Sequence, residues 1–388
     1  MSDWITCTLG DAITLKRGYD LPTGKRSNGP FPIYASNGLV GNHNECKVKG
    51  PGVVTGRSGT LGKSFYIKED FWPLNTTLYV QDFKGNNPKF VAYLLENFNF
   101  HKFNFGSGVP TLNRNHVHPL PIKLPSIKIQ NQIADLIGSI EDKIEINFDI
   151  NHTLEQMAQT LYKHLAIDFG LSQDEEFEES ELGLIPKGWK VGKLKDFAKV
   201  VGKNVNVAKL ESIVPYIGLE HMPKRSIALL DWETSEKVTS SKTFFSKGDI
   251  LFGKLRPYFK KVGIAPINGI CSTDILVVNA KEEVFYGFLV CILSQDVFID
   301  YCSNSSSGTR MPRTNWRQMG EFKVAIPPKE VLLKFNDMLL NLTNQIMLNI
   351  YQNRTLTETR NYLLPRLLSG EIKVTKAAQI TKEVLING

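Results

Sequence analysis

The sequence predicts an α+β protein built twice over: two duplicated α+β globular domains, each followed by a long helix, with the two helices pairing as an antiparallel coiled coil. Three observations predict it. Residues 106–165 align without a gap to 308–367 at an offset of 202, with identities that include Gly106/Gly308, Pro110/Pro312, Asn113/Asn315, Pro125/Pro327, Asn147/Asn349, Asn151/Asn353 and Leu165/Leu367. A period this long marks a repeated structural unit, and the unit starts earlier still, because WITCTLGDAITLKRG at Trp4 echoes WKVGKLKDFAKVVGK at Trp189. Within each copy the C-terminal part advances by fours and threes: Ile129, Ile133, Ile137, Ile140, Ile144, Asn147, Asn151, Leu154, Ala158, Leu161, Leu165, and then Val331, Phe335, Leu339, Leu342, Ile346, Asn349, Asn353, Leu356, Arg360, Leu363, Leu367. That spacing is a heptad seam. The part before each seam is a series of short apolar-aromatic runs separated by Gly, Pro and Asn, which is strand composition.

In chain order, residues 1–125 form the first globule, with FPIYA, GPGVVTG, KSFYIK and TTLYVQ as strands and PKFVAYLLENF as one helix. Residues 126–168 form the first spacer helix, which begins after Pro125 because Pro is tolerated at a helix entrance but not inside. From Ile129 to Leu165 it spans roughly 55 Å. Residues 169–185, with SQDEEFEESELGLIPKG running through and just past them, are acidic and poor in apolar side chains, which predicts a flexible surface linker. The second globule, 186–326, repeats the pattern in VPYIGLEH, GDILFGKL, KKVGIA and DILVVNA, then a helix at YGFLVCILSQDVFIDY. Residues 327–369 form the second spacer helix, approached through IPPKE, and Pro365 predicts a kink or stop near its end. Residues 370–388 are left as a tail. Asn147 and Asn349 fall at the seam midpoints and would meet in an antiparallel pair, with Asn151 and Asn353 close by. Polar residues at seam positions fix register at some cost in stability; the other reading is that they face solvent on imperfect helices.

Composition narrows the class. With 388 residues and 42% apolar content the chain can bury two or three cores. No apolar run approaches the roughly 18 residues of a membrane span, and the start MSDWITCTLGD is too polar for a signal peptide, so a cytoplasmic protein without membrane contact is expected. Cys7, Cys46, Cys271, Cys291 and Cys302 are odd in number and scattered, which indicates neither a disulfide framework nor a zinc site. His116 and His118 would share one side of a strand, but no third ligand stands near, so no metal is expected. The net charge of +7 is segregated: +6 over 1–125, −10 over 126–185, +8 over 186–326 and +3 over 327–388. Two basic bodies around an acidic connector fit a polyanionic partner.

The stretch TGRSGTLGKS, Thr55 to Ser64, imitates a phosphate-binding P-loop, but the required first Gly falls on Arg57 and the residues after Ser64 read as a strand rather than a helix. It is therefore a Gly-rich turn between strands, carrying basic side chains. Basic and small polar residues recur in such places in both globules: Asn37, Arg57, Ser58, Lys63, Asn113 and Arg114 in the first, and Lys224, Arg225, Lys254, Arg256, Lys260, Lys261, Arg310 and Arg313 in the second. Arg and Lys bind phosphates, and Arg and Asn read base edges, so these are the candidate contacts to double-stranded DNA. A catalytic constellation is missing. NNPKF at Asn86 lacks the second Pro of an amino-methyltransferase motif, FGSG at Phe105 is only a fragment of a methyl-donor loop, and no Ser-His-Asp order, HExxH or nuclease signature stands out. A non-catalytic adaptor that uses basic globules to bind acidic protein surfaces remains the alternative, and steep salt dependence would favour DNA.

The order and duplication of these motifs resemble a known family. IPKGWKVGKLKDF before the second globule, YASNGLVGNHN with VVTGRSGTLGK in the first, FSKGDILFGKLRP with STDILVV in the second, and GTRMPRTNW with IPP before the last helix are similar to the specificity subunit of type I restriction-modification enzymes, from Trp4 to about Gly370. The resemblance implies that each globule is a target-recognition domain reading one half of a bipartite asymmetric site, and that the helices form a spacer that docks methyltransferase (modification) subunits, expected as a pair. It also implies a restriction/translocase subunit as a further partner. On that reading the chain binds no cofactor, and S-adenosylmethionine, ATP and Mg belong to the partner subunits, which methylate adenine or cleave.

Overall fold

In a computed structural model of the chain the described residues are 4–98, 100, 111–170, 176–210, 212–306 and 311–387. Contacts divide the chain into two compact units, Met1–Lys143 with Thr355–Gly388, and Ile144–Arg354. The division passes through both long helices, so each unit holds one globule and a stretch of each helix.

In the first unit a four-stranded antiparallel sheet runs Thr14–Arg17, Thr77–Asp82, Gly52–Gly56, Ser64–Ile67. The helix Pro88–Glu96, capped by Asn87 accepting from the Phe90 N–H, packs on its last two strands. Gly52–Gly56 is buried throughout, which explains why GVVTG does not alternate: a strand covered on both faces reads as a continuous run. A second sheet orders Gly38–His43, Phe31–Ala35 and Trp72–Pro73, the last pair parallel. Trp4–Thr8 pairs with Pro121–Pro125, closing the globule where the helix begins.

The second unit repeats this framework. Its four-stranded sheet runs Ala198–Val200, Ile275–Ala280, Ile250–Gly253, Val262–Ile264, the same order at matching places. Its other sheet is enlarged to five strands but keeps the parallel pair, here Pro215–Ile217 beside Gly269–Cys271. Lys190–Lys193 pairs with Lys323–Ile326 as Trp4–Thr8 pairs with Pro121–Pro125. The single helix expected at Tyr286 is two, Tyr286–Ser294 and Asp296–Asn304, bent by 65°. Gln295 between them is extended (φ −69°, ψ 142°) and its amide donates to Gln159, and the bend lets Phe288 and Phe298 both reach full burial. Among the described residues no single helix is long and apolar enough to cross a membrane.

The long helices are Ile127–Ala166 and Lys329–Ser369. Within the second unit Asn147 Nδ2 donates to Asn353 Oδ1 at 2.8 Å and to Gln352 Oε1 at 2.7 Å, and Asn349 Nδ2 donates to Asn151 Oδ1 at 2.8 Å. Four residues up one helix is four down the other, so the pair is antiparallel there. The bonds cross one turn away from the expected Asn147–Asn349 meeting. All four Asn residues are buried, which removes the solvent-facing reading. Within the first unit the seam residue Arg360 pairs with Glu141 at 3.7 Å, and Glu141 also accepts from the Tyr93 hydroxyl at 2.5 Å.

Four further expectations are corrected. The second helix does not stop at Pro365, which lies exposed inside it; it runs to Ser369 and ends at Gly370, whose φ of +76° is the usual left-handed helix terminator. The tail is a helix, Val374–Asn387, that buries Ala377 and Thr381. Part of the acidic linker is ordered as a hairpin, Phe177–Ser180 with Gly183–Pro186, because Ser180 Oγ accepts from Leu182 N and donates to Gly183 O across the turn while Ile185 is buried. His116 and His118 are on no strand: Arg114–Val117 is a short helix, and His118 Nε2 accepts from the Leu15 N–H at 3.0 Å.

Candidate nucleic-acid interface

Both globules turn the end of a central strand into a basic loop by the same backbone pattern. In the first, the strand ends at Gly56, where a Cβ would lie 1.8 Å from the Thr60 carbonyl oxygen, so no other residue fits without moving the turn. Arg57 N–H donates to Thr76 O at 2.8 Å, and Leu112 N–H donates to Arg57 O at 2.8 Å. In the second, Lys254 N–H donates to Asp274 O at 2.9 Å, and Thr314 N–H to Lys254 O at 3.1 Å. Arg57 and Lys254 thus occupy equivalent positions. Each loop is pinned to the segment that leads into a short helix, Arg114–Val117 or Trp316–Met319, capped by Asn113 or Asn315. The turn from Arg57 closes where Thr55 Oγ1 and Gly56 N donate to Lys63 O, and the chain continues as the strand Ser64–Ile67. No helix N-terminus follows, so the phosphate-cradle geometry of a P-loop is not formed.

The candidate residues divide by what holds them. Asn37 is exposed at a hairpin tip and Lys63 at the end of its turn. Ser58 is half-buried and bridges Thr111. Arg57 is half-buried with Nε donating to Asn75 O at 2.9 Å, and burial, with Arg17 nearby, holds its guanidinium below the usual pKa. Asn113 spends its amide oxygen on the Asn115 N–H, and exposed Arg114 reaches the Leu15 carbonyl at 3.4 Å. In the second globule Lys224 lies 4.6 Å from the Phe259 ring centre, and Arg225 is exposed beside it. Lys254 is half-buried, and Arg256 keeps a buried Nε without a hydrogen-bond partner. Lys260 is paired with Asp296, Lys261 donates to the Leu219 carbonyl, and Arg313 bonds Asp274 at 3.1 Å. Arg310 lies outside the described residues, as do 106–110 and 307–309 of the repeat. Asn147, Asn151, Asn349 and Asn353 belong to the helix pair.

The backbone adds a signal that composition could not. Arg225, Arg256 and Lys260 have φ of 59°, 51° and 53°, the left-handed region that costs an L-residue about 1–2 kcal/mol. Such strain persists only where the surroundings impose it, and it gathers in functional loops. Sequence reading missed the acids that hold two of the cations, Asp274 and Asp296, because they are distant in the chain. It also missed the equivalence of Arg57 and Lys254, although VVTGR and ILFGK both place a basic residue directly after a strand-ending Gly. Burial pushes the thiols of Cys271, Cys291 and Cys302 up, so none is a ready nucleophile. Among the described residues no group of three or more His, Cys, Asp or Glu side chains could hold a metal. The chemistry on offer is electrostatic and hydrogen-bonding recognition.

Comparison with known proteins identifies the family. Residues 1–156 and 186–356 match the family described as type I restriction modification DNA specificity domain. The chain is 25% identical over 362 residues to the type I restriction enzyme EcoDI specificity subunit of Escherichia coli, covering 84% of this chain and 78% of that one. It is 23% identical over 463 residues to the HindI specificity subunit of Haemophilus influenzae, covering 96% and 100%. The crystal structure of the S subunit of a type I restriction-modification system from M. genitalium shares the fold with a TM-score of 0.63 at 15% identity, over 94% of this chain and 96% of that one.

Proposed function

The chain belongs to the family of type I restriction-modification DNA specificity subunits, DNA-recognition rather than catalytic chains, and from that premise we propose that its two globules read the two halves of a bipartite, asymmetric double-stranded DNA site. One observation carries the proposal: the same framework, with the same backbone hydrogen bonds, presents Arg57 in one globule and Lys254 in the other. Duplicated scaffolds with different loop residues suit two different half-sequences. Phosphate contacts by the Lys and Arg side chains would place each globule, and Arg and Asn groups at the base edges would discriminate. Adenine methylation and cleavage would be performed by methyltransferase and restriction/translocase partners, which would carry S-adenosylmethionine, ATP and Mg.

Methylome sequencing of cells carrying this chain and its methyltransferase partners tests the proposal. The expected result is a modified motif of two unequal specified blocks separated by an unspecified gap, absent when the chain is deleted. Modification that does not depend on the chain, or a single continuous motif, would overturn it. Affinity for the mapped duplex should also fall log-linearly with salt, which an adaptor for folded acidic proteins would not match.

A further inference from the structure

Glu155 lies on the first long helix, not on either globule, yet it is only 9% exposed. Its Oε1 accepts three hydrogen bonds from one loop of the second globule: Ser226 Oγ at 2.7 Å, Ile227 N at 3.1 Å and Ala228 N at 3.1 Å. Burying a carboxylate is costly, and an apolar residue of similar size would pack a helix against a globule more cheaply. What the carboxylate adds is direction. It specifies where the backbone of residues 226–228 must be.

That backbone leads into the strained basic loops. Arg225, adjacent to Ser226 and left-handed, donates its N–H to the Lys260 carbonyl at 3.0 Å. Lys260 is itself left-handed and closes the single turn Pro257–Phe259, whose other end is Arg256. Lys224 stacks on Phe259 of the same turn. From the other side, Ile264 N–H donates to Ile227 O at 3.0 Å, tying the loop to the sheet. A cleft of about 470 Å³ opens between helix and loop, lined by Glu155, Arg225 and Lys260 among others. The equivalent position on the second long helix, at the repeat offset, is Thr357.

We propose that Glu155 is a positioning residue for DNA reading: by bonding the backbone of residues 226–228 it holds Arg225, and through Arg225 the turn 256–260, in the shape that discriminates one half-site. The inference rests on the half-site reading above. It places part of the selectivity of the second globule on the long helix.

The test uses the intact chain assembled with its methyltransferase partners and duplexes built on the motif mapped for the wild type, altered in one half or the other. In competition binding, Glu155→Ala should lower discrimination at a single half by about tenfold or more, the consequence of taking the shared acceptor from the Ile227 N–H and the Ser226 hydroxyl and leaving the Ala228 N–H only Ser226 Oγ. Discrimination at the other half should be unchanged. Glu155→Gln, which keeps an acceptor oxygen, should restore the wild-type preference to within about twofold. Discrimination unchanged from wild type at both halves in Glu155→Ala, or equal loss at both, overturns the proposal. Should Glu155→Ala fail to assemble, Ser226→Ala removes one of the three donors to Glu155, together with the hydroxyl that also accepts from the Ala228 N–H, and leaves the two backbone bonds to the carboxylate: a partial loss confined to one half supports the proposal, and no change in either half overturns it. A wild-type complex with no sequence preference would instead defeat the half-site reading itself, a separate result.

Discussion

Arg57 shows how a side chain proposed for recognition is also held by the fold. Its main chain is bonded on both sides, and its Nε is committed to Asn75 O, so the guanidinium leaves the turn in one direction with its terminal nitrogens beyond that bond. A planar group fixed in this way loses less entropy on meeting phosphate or guanine than a free lysine does. Glu321 is a purely structural counterpart. Its carboxylate accepts from Lys193 Nζ at 2.7 Å and from Lys195 Nζ, which pushes its pKa from 4.5 down to about 2. A depressed folded-state pKa stabilises above the unfolded value and ceases to do so as pH falls through the folded one. Stability should therefore decline between pH 4.5 and about 2 partly through this group. In Glu321→Gln that part of the slope should vanish while neutral-pH stability falls only slightly, measured as urea midpoints across the acid range. An unaltered acid slope would show that the two lysines contribute nothing through Glu321.

At the scale of elements, the helix pair is held by polar residues where a coiled coil would usually be apolar. Between Ile144 and Leu154 the buried positions of the first helix are Asn147 and Asn151, while Ile146, Phe148 and Ile150 are exposed. Asn147 Oδ1 and Asn151 Nδ2 are buried without partners even so. Such a seam trades stability for register. Asn349→Leu should cost about 1–3 kcal/mol in urea unfolding, because it leaves the Asn151 amide oxygen unpaired. The double replacement Asn151→Leu with Asn349→Leu should recover most of that loss, since replacing both partners removes the unmet polar groups. Additive losses in the double variant would mean that the two amides do not act as a pair.

At the scale of the molecule, the duplication makes a prediction about its half. Asn349 and Asn353 are the copies of Asn147 and Asn151, so the observed bonds Asn147–Asn353 and Asn151–Asn349 translate, in two copies of a fragment 1–168, into Asn147 of one meeting Asn151 of the other, twice. That pairing is two-fold symmetric, and two-fold symmetry demands an inverted repeat in the DNA. The fragment should dimerise and, with methyltransferase partners, modify a palindrome of one half-site. It will be less stable than the whole, because the copy of Arg360 is Ala158 and the bond to Glu141 is lost. Light scattering gives the mass and methylome sequencing the motif; a monomeric fragment, or one still confined to the asymmetric site, would sink the idea.

Sequence by itself determined the duplication, the two long helices, the strand-rich globules and the reading of TGRSGTLGKS as a turn. Each is a matter of period, local composition or one residue's backbone limits, and such properties lie along the chain where they can be counted. Tertiary structure alone decided which Asn meets which, because a heptad pattern repeats every turn or two and tolerates a shift that only side-chain geometry resolves. It decided that YGFLVCILSQDVFIDY breaks at Gln295, that the tail after Gly370 is a helix, and that acidic residues beyond the first helix close into a hairpin. In each case the deciding partners, Gln159, the interior around Ala377 and the site that buries Ile185, are supplied by the fold. The site followed the same division. Basic residues on Gly-rich turns were legible as a class, whereas the acids that neutralise Arg313 and Lys260 and the carboxylate of Glu155 that aims the loop were not, since a buried polar group takes its meaning from partners brought to it across the chain.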